Sequence, residues 1–230
     1  MGNREYIQQF PGVFVYEWPV RLWHWINAFC IVILAVTGYL IAKPLPTISG
    51  EAAHHFVMGG IRELHFSAAY VFAVGFLARI YWALVGNRHA RELFLPPLYR
   101  PSWWQNLGKV MAWYAFARSE PIKTTGHNPL AQVMMILMFV LGSLFMICTG
   151  FALYSEGAGK GSWQDHAFGW VIPLFGQSQD VHTWHHLGMW FLVTFSIVHI
   201  YAAIREDLVS RQTLISAITN GFRFFRDDRP

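Results

Sequence analysis

The sequence predicts an all-α membrane protein. We expect a bundle of four transmembrane helices, with both termini cytoplasmic and short helices at the membrane interface. Three observations carry this. Of 230 residues, 54% are hydrophobic and only 13% are charged, whereas soluble domains carry about 25% charged residues. Eleven Trp within an aromatic share of 17% supply material for interfacial belts. Four stretches, 20–42, 62–87, 129–154 and 181–204, each reach the roughly 20 residues that cross a hydrocarbon core. A single large soluble helical domain is the alternative, and the low charge content opposes it.

The first span carries no Asp, Glu, Lys or Arg from residue 22 onward and opens with Trp23-His24-Trp25. The second opens with Glu63-Leu64-His65, and from Leu64 to its end only Arg79 interrupts it. The third follows Gly126-His127-Asn128-Pro129, where Pro suits a first helical turn and Asn an N-cap. The fourth is uncharged and carries His182, His185, His186 and His199. Glycine is tolerated in such spans, because small residues let neighbouring helices approach. Between the second and third spans, Pro96-Pro97, Ser102-Trp103-Trp104 and Trp113-Tyr114 lie among basic residues, the pattern of a helix on the membrane surface. The stretch 211–225 fits either a similar helix or a solvated tail. No linker divides the chain, so 1–230 reads as one domain. Val36-Thr37-Gly38-Tyr39 is echoed by Cys148-Thr149-Gly150-Phe151 near matching ends of two spans.

Charge orients the bundle. Arg88, Arg91, Arg100, Lys109, Arg118 and Lys123 lie between the second and third spans, and Arg205, Arg211, Arg223, Arg226 and Arg229 follow the fourth. The other connections offer only Lys43, Arg62 and Lys160. The positive-inside rule places the basic segments and both termini in the cytoplasm. The formal net charge of +4 therefore reflects topology, and nucleic acid is not an expected partner. The polar start, Met1 to Tyr6, predicts no cleaved signal, so the first span stays as an anchor. Cys30 and Cys148 are lone apolar-segment residues without cluster or disulfide spacing.

Histidine carries the chemistry. His185 and His199 are 14 residues apart, which on a helix is a rise of about 21 Å and a turn that returns within roughly 40°. One helix thus points two imidazoles the same way, near opposite faces of the bilayer. Ionisable groups in a span are costly and mark function, and imidazole is an axial ligand of haem. Alternating span direction gives each His a depth. His24 lies with His199 on the inner side, and His65 lies with His185 on the outer side. Four ligands in two pairs predict two haem b. His186 points away from His199 and reads as an interface residue, as does His182. An i, i+4 zinc site formed by His182 and His186 lacks a third ligand. His54, His55, His89 and His166 read as solvated or interfacial. Arg79 follows His65 by 14 residues and either pairs with a haem propionate or snorkels to the inner interface. Gly38 follows His24 by 14 residues and leaves room for a macrocycle or for a neighbouring helix.

Two runs carry a family resemblance. Arg21-Leu22-Trp23-His24-Trp25-Ile26 closing at Thr37-Gly38, and His182-Thr183-Trp184-His185-His186-Leu187-Gly188-Met189-Trp190 with His199, resemble the two signatures of the cytochrome b subunit of membrane-bound nickel–iron hydrogenases. That resemblance covers nearly the whole chain. It implies a multi-pass subunit of the bacterial cytoplasmic membrane that anchors a periplasmic hydrogenase. The implied partners are a small subunit, with iron–sulfur clusters and a C-terminal membrane helix, and a large subunit. It also implies electron delivery through His65–His185 and His24–His199 to membrane quinone. The chain has no cysteine set for nickel, so hydrogen splitting belongs to the large subunit and this chain is expected to be an electron-transfer subunit. His127 and Asn128 lie at the inner depth, where quinone needs a hydrogen-bonding group. Cytochromes b of formate dehydrogenases and thiosulfate reductases share similar His placement, and a stand-alone transmembrane cytochrome b is a further reading. A channel or transporter would call for acidic residues deep in a span, and none is present.

Overall fold

The computed structural model describes residues 12–46, 56–210 and 213–225. His54, His55, Arg211, Arg226, Arg229 and the polar start of the chain lie outside the described residues. The elements in order are β1 (Gly12–Phe14), α1 (Trp18–Ala42), α2 (Val57–Val85), α3 (Arg88–Arg91), α4 (Pro101–Tyr114), α5 (Pro129–Met134), a π-helical turn (Met135–Val140), α6 (Leu141–Ala158), α7 (Trp163–Phe168), α8 (Val171–Phe175), α9 (Ser178–Val209), α10 (Leu214–Asn220) and β2 (Phe222–Phe224). Among the described residues, four helices are long and apolar enough to cross a membrane: α1, α2, the continuous run Pro129–Ala158, and α9. With 32 residues, α9 is about 48 Å long, so its ends project beyond a core of about 30 Å.

The spans invert the pattern of a soluble bundle. Phe29, Val32, Leu77, Leu84 and Ile197 face outward, while Asn27, Thr37, Ser143 and Thr149 are buried. Lipid is as apolar as these side chains, so association rests on close packing and internal hydrogen bonds. The most extensive helix contacts are α1 with α2 and α6 with α9, and α1 against α9 joins the two pairs. An aromatic seam of Trp23, Phe139 and Phe195 runs through the middle, with ring centroids 5.8 Å apart at each step. Phe139 belongs to the π turn. Such a turn holds an extra residue and so resets the faces of the helix beyond it.

Both ends of the described chain meet at one end of the bundle. β1 and β2 pair antiparallel with Val13 opposite Arg223, so the described part of the stretch 211–225, residues 213–225, is neither a plain interfacial helix nor a free tail. Pairing satisfies backbone groups that would otherwise be unmet beside the bundle. The turn into β2 uses Gly221 at φ +93°, where a Cβ would sit 2.8 Å from the carbonyl oxygen of Tyr16. The Val15 N–H donates to the Gly221 carbonyl at 2.8 Å, and Arg223 Nη1 donates to the Gly126 carbonyl at 2.8 Å. Trp82 Nε1 and the Asn87 N–H both donate to Glu17, each at 3.0 Å. α4 is amphipathic as expected, with Trp103, Val110 and Trp113 on its buried face. Trp103 donates to Gln132 at 2.7 Å and Trp113 to Glu206 at 3.2 Å, which ties α4 to α5 and to the end of α9.

Candidate haem-binding site

The structure brings the predicted histidines together in two groups. His24 and His199 face each other near the strand pair, with ring centroids 6.3 Å apart. Two imidazoles on opposite sides of one metal, each bonded at about 2 Å, have centroids roughly 6 Å apart. Phe195 stacks on His199 at 5.6 Å and supports its ring plane. Toward the other end of the bundle, Gly38 of α1 lies against both His65 and Met189, one turn along α9 from His185: a Cβ there would be 3.3 Å from His65 Cε1 and 3.6 Å from Met189 Sδ.

The second pair is held from behind. Thr37 Oγ1 lies 2.8 Å from His65 Nδ1, and Thr149 Oγ1 lies 2.8 Å from His185 Nδ1. The glycine after each Thr makes room for the ring. A Cβ on Gly38 would lie 3.3 Å from His65 Cε1, and one on Gly150 would lie 3.1 Å from His185 Cε1. Gly38 thus admits a histidine ring from the neighbouring helix. Sequence reasoning noticed the Thr-Gly echo but assigned neither Thr a role, although the repetition was its signal.

Around His24 the buried polar groups lack protein partners. Among the described residues Trp23 Nε1, His24 Nδ1, Asn27 Oδ1 and the Nε and Nη1 of Arg79 have none. Arg79 is buried, donates from Nη2 to the Ala90 carbonyl at 2.7 Å, and lies 5.4 Å from the ring centroids of both Trp23 and Phe94. Buried donors require acceptors, and a buried guanidinium requires an anion. A macrocycle bearing carboxylates answers both needs, so this donor set fits haem. Among the described residues no group of His, Cys, Asp and Glu is arranged for a bare metal ion.

Beside this centre lies a polar cluster. Tyr16 Oη is 3.1 Å from His127 Nδ1, and the His127 N–H donates to Glu92 at 3.0 Å. Glu92 also pairs with His89 Nδ1 at 2.8 Å. Burial pushes the His127 imidazole down to about 4, and burial likewise raises the Tyr16 phenol. His127 is thus neutral at pH 7. Asn128 caps α5, its Oδ1 accepting from the Ala131 N–H at 2.8 Å.

The remaining histidines divide. His89 was expected in solvent or at the interface. Instead it is buried, because Asn87 starts the short α3 and turns the ring inward against Glu92. His186 accepts from Trp190 Nε1 at 3.2 Å on an exposed face, and His182 bonds the Ser178 carbonyl at 3.0 Å.

A four-helix membrane bundle with paired histidines, buried unmet donors and an aromatic seam has the frame of a membrane cytochrome b. The chain belongs to the prokaryotic cytochrome b561 family, whose model matches residues 15–221. It is 60% identical over 228 residues to the probable Ni/Fe-hydrogenase B-type cytochrome subunit of Azotobacter chroococcum mcd 1, covering 99% of this chain and 95% of that one. It is 59% identical over 216 residues to the protein of that name from Cupriavidus necator, covering 94% and 88%. It is 50% identical over 214 residues to the probable Ni/Fe-hydrogenase 1 B-type cytochrome subunit of Escherichia coli strain K12, covering 91% and 90%. A B-type cytochrome of this family carries haem b.

Proposed function

We propose that this chain is the dihaem membrane subunit of a nickel–iron hydrogenase, passing electrons from the hydrogenase small subunit to quinone. The observation that carries the reading is the 14-residue separation of His185 and His199 on α9. Each has a partner from another span, His65 for the first and His24 for the second. Bound between these pairs, haem b supplies reversible one-electron carriage, and two centres divide the bilayer into steps short enough for transfer. The basic residues gather at the end holding the strand pair and His24–His199, which orients that end to the cytoplasm. His65–His185 then lies toward the periplasm of the bacterial inner membrane, where a hydrogenase small and large subunit dock. The names of the relatives support this partner.

The chain's own residues supply the quinone chemistry. With the Tyr16 hydroxyl donating to Nδ1 of His127, the proton of that ring sits on Nε2. Nε2 has no hydrogen-bond partner among the described residues, so it can donate to a quinone carbonyl. Asn128 has spent its oxygen on the helix cap and keeps its NH₂ as a second donor. Glu92, which accepts from the His127 backbone N–H, and His89 continue the polar cluster to exposed Arg88, whose Nε lies 3.2 Å from His89 Nε2. Arg79, with its Nε and Nη1 unpartnered, would hold a propionate of the inner haem.

A reduced-minus-oxidised spectrum with a haem-to-protein ratio tests the core of this reading. Two b-type haems per chain are expected, and a chain without haem rejects it. For the quinone site, His127→Ala combined with Asn128→Asp removes both donors while an acidic N-cap keeps the helix start. Unchanged quinone reduction by the intact complex would reject that assignment.

A further inference from the structure

Thr37 and Thr149 are both fully buried, at 4% and 1% exposure. Each is a threonine inside a membrane helix, where a hydroxyl commonly bonds back to the preceding turn. Thr37 Oγ1 does so to the Ile33 carbonyl at 2.6 Å, and Thr149 Oγ1 to the Phe145 carbonyl at 2.8 Å. A hydroxyl has one proton, so these carbonyls use it. The oxygen can then only accept at its other contact. The Nδ1 of His65 and of His185, each 2.8 Å away, must therefore be the donor. Each imidazole carries its proton on Nδ1 and turns an unprotonated Nε2 the other way. That is the tautomer a metal requires when it binds at Nε2.

The same arrangement is built twice. Thr37 and Gly38 on α1 serve His65 on α2, while Thr149 and Gly150 on α6 serve His185 on α9. In each case the threonine fixes one edge of the ring and the following glycine admits Cε1. The other histidine pair has no such support, since neither imidazole ring of His24 and His199 makes a hydrogen bond among the described residues and His24 Nδ1 is buried without a partner.

We propose that Thr37 and Thr149 are positioning residues that hold His65 and His185 in the Nδ1–H tautomer and tune one of the two haem centres without the other. The proposal rests on the haem reading above. A hydroxyl oxygen accepting from Nδ1–H makes the imidazole a stronger electron donor through Nε2, as partners behind metal-bound histidines generally do. A stronger donor favours the oxidised metal and lowers its potential. Replacing the hydroxyl by a methyl group of similar size takes that effect away.

The test is a spectroscopic redox titration of the full chain, comparing wild type with Thr37→Val, Thr149→Val, the double variant and the two Thr→Ser variants. Each Val variant is expected to raise the potential of one centre and leave the second in place. The expected change is on the order of tenfold in the one-electron equilibrium, or about 59 mV. The double variant shifts the same centre further, and the Ser variants return it to the wild-type value. Loss of one haem in a Val variant with retention in its Ser counterpart also supports the assignment. Val variants that titrate as wild type, or that shift both centres together, overturn it. A wild-type chain without haem fails at the earlier step and rejects the haem reading itself.

Discussion

His24 and His199 stand with ring centroids 6.3 Å apart, one from the first turns of α1 and the other from the second half of α9. Phe195 stacks on the second ring and Trp25 meets the first edge-on at 5.2 Å. Each proposed pair draws on two helices, so on the two-haem reading losing one ring is expected to remove one centre. His24→Ala or His199→Ala should lower the haem-to-protein ratio from two to one, and so should His65→Ala or His185→Ala. The two sets should delete different spectral components. Deletion of the same component by both sets would show that the pairs are wrongly drawn.

Arg79 contributes a buried positive charge beside Trp23, the neighbour of His24. A cation near a redox centre favours its reduced form. Arg79→Gln should therefore lower the potential of the His24–His199 centre by several tens of millivolts, where 59 mV is tenfold for one electron. The other centre should stay in place. A shift of the His65–His185 centre alone would remove Arg79 from the inner site.

His127 makes the strand-bearing end sensitive to acid. Burial holds its folded-state imidazole near 4, against 6.5 in an unfolded chain. Between those values the unfolded chain binds the proton and the folded chain does not, so stability rises with pH across the window. The contribution is full above about pH 6.5 and is lost as pH falls toward 4. Thermal unfolding in detergent at pH 7.5 and pH 5 should show a loss that His127→Gln reduces. Equal losses in both proteins would place the acid sensitivity elsewhere.

Gly150 tests the ring cradle. A Cβ there would lie 3.1 Å from His185 Cε1, tighter than ordinary contact, and overpacking costs about 1–3 kcal/mol. Gly150→Ala should leave helix content by circular dichroism unchanged while haem at the His65–His185 pair falls. Full occupancy of both centres would mean that the ring yields without consequence.

Trp113 and Glu206 join α4 to α9 through a buried bond of 3.2 Å. Trp113→Phe replaces the indole by a smaller ring and removes the Nε1 donor, leaving Glu206 only Arg205 at 4.0 Å and the Tyr114 hydroxyl, a loss of about 1–3 kcal/mol. For a chain of this size that corresponds to a melting point lower by roughly 2–10 °C. An unchanged melting point would show that Tyr114 or Arg205 already satisfies Glu206.

Much of this protein can be read along the chain because membrane spans are one-dimensional objects. Bilayer thickness sets the length of an apolar run, and the 3.6-residue turn makes a step of 14 return to the same face. From those two constants His24, His65, His185 and His199 acquire depths, and depth pairs them. Arg79 follows by the same step, though the sequence does not name its neighbours. Those are Ala90, Trp23 and Phe94, which close around the guanidinium.

What the chain pattern left open are relations between residues far apart in sequence that share no period. The Thr-Gly echo is visible in the sequence, yet which ring each threonine touches depends on how α1 is rotated against α2 and α6 against α9. The burial of His89 depends on Glu92, which is itself engaged by the backbone of His127 35 residues later. The pairing of Val13 with Arg223 brings both ends of the described chain to one end of the bundle. Repetition and hydropathy set where each side chain lies along the membrane normal. Only packing sets its direction around each helix axis, and the hydrogen bonds that tune the histidines are made in that direction.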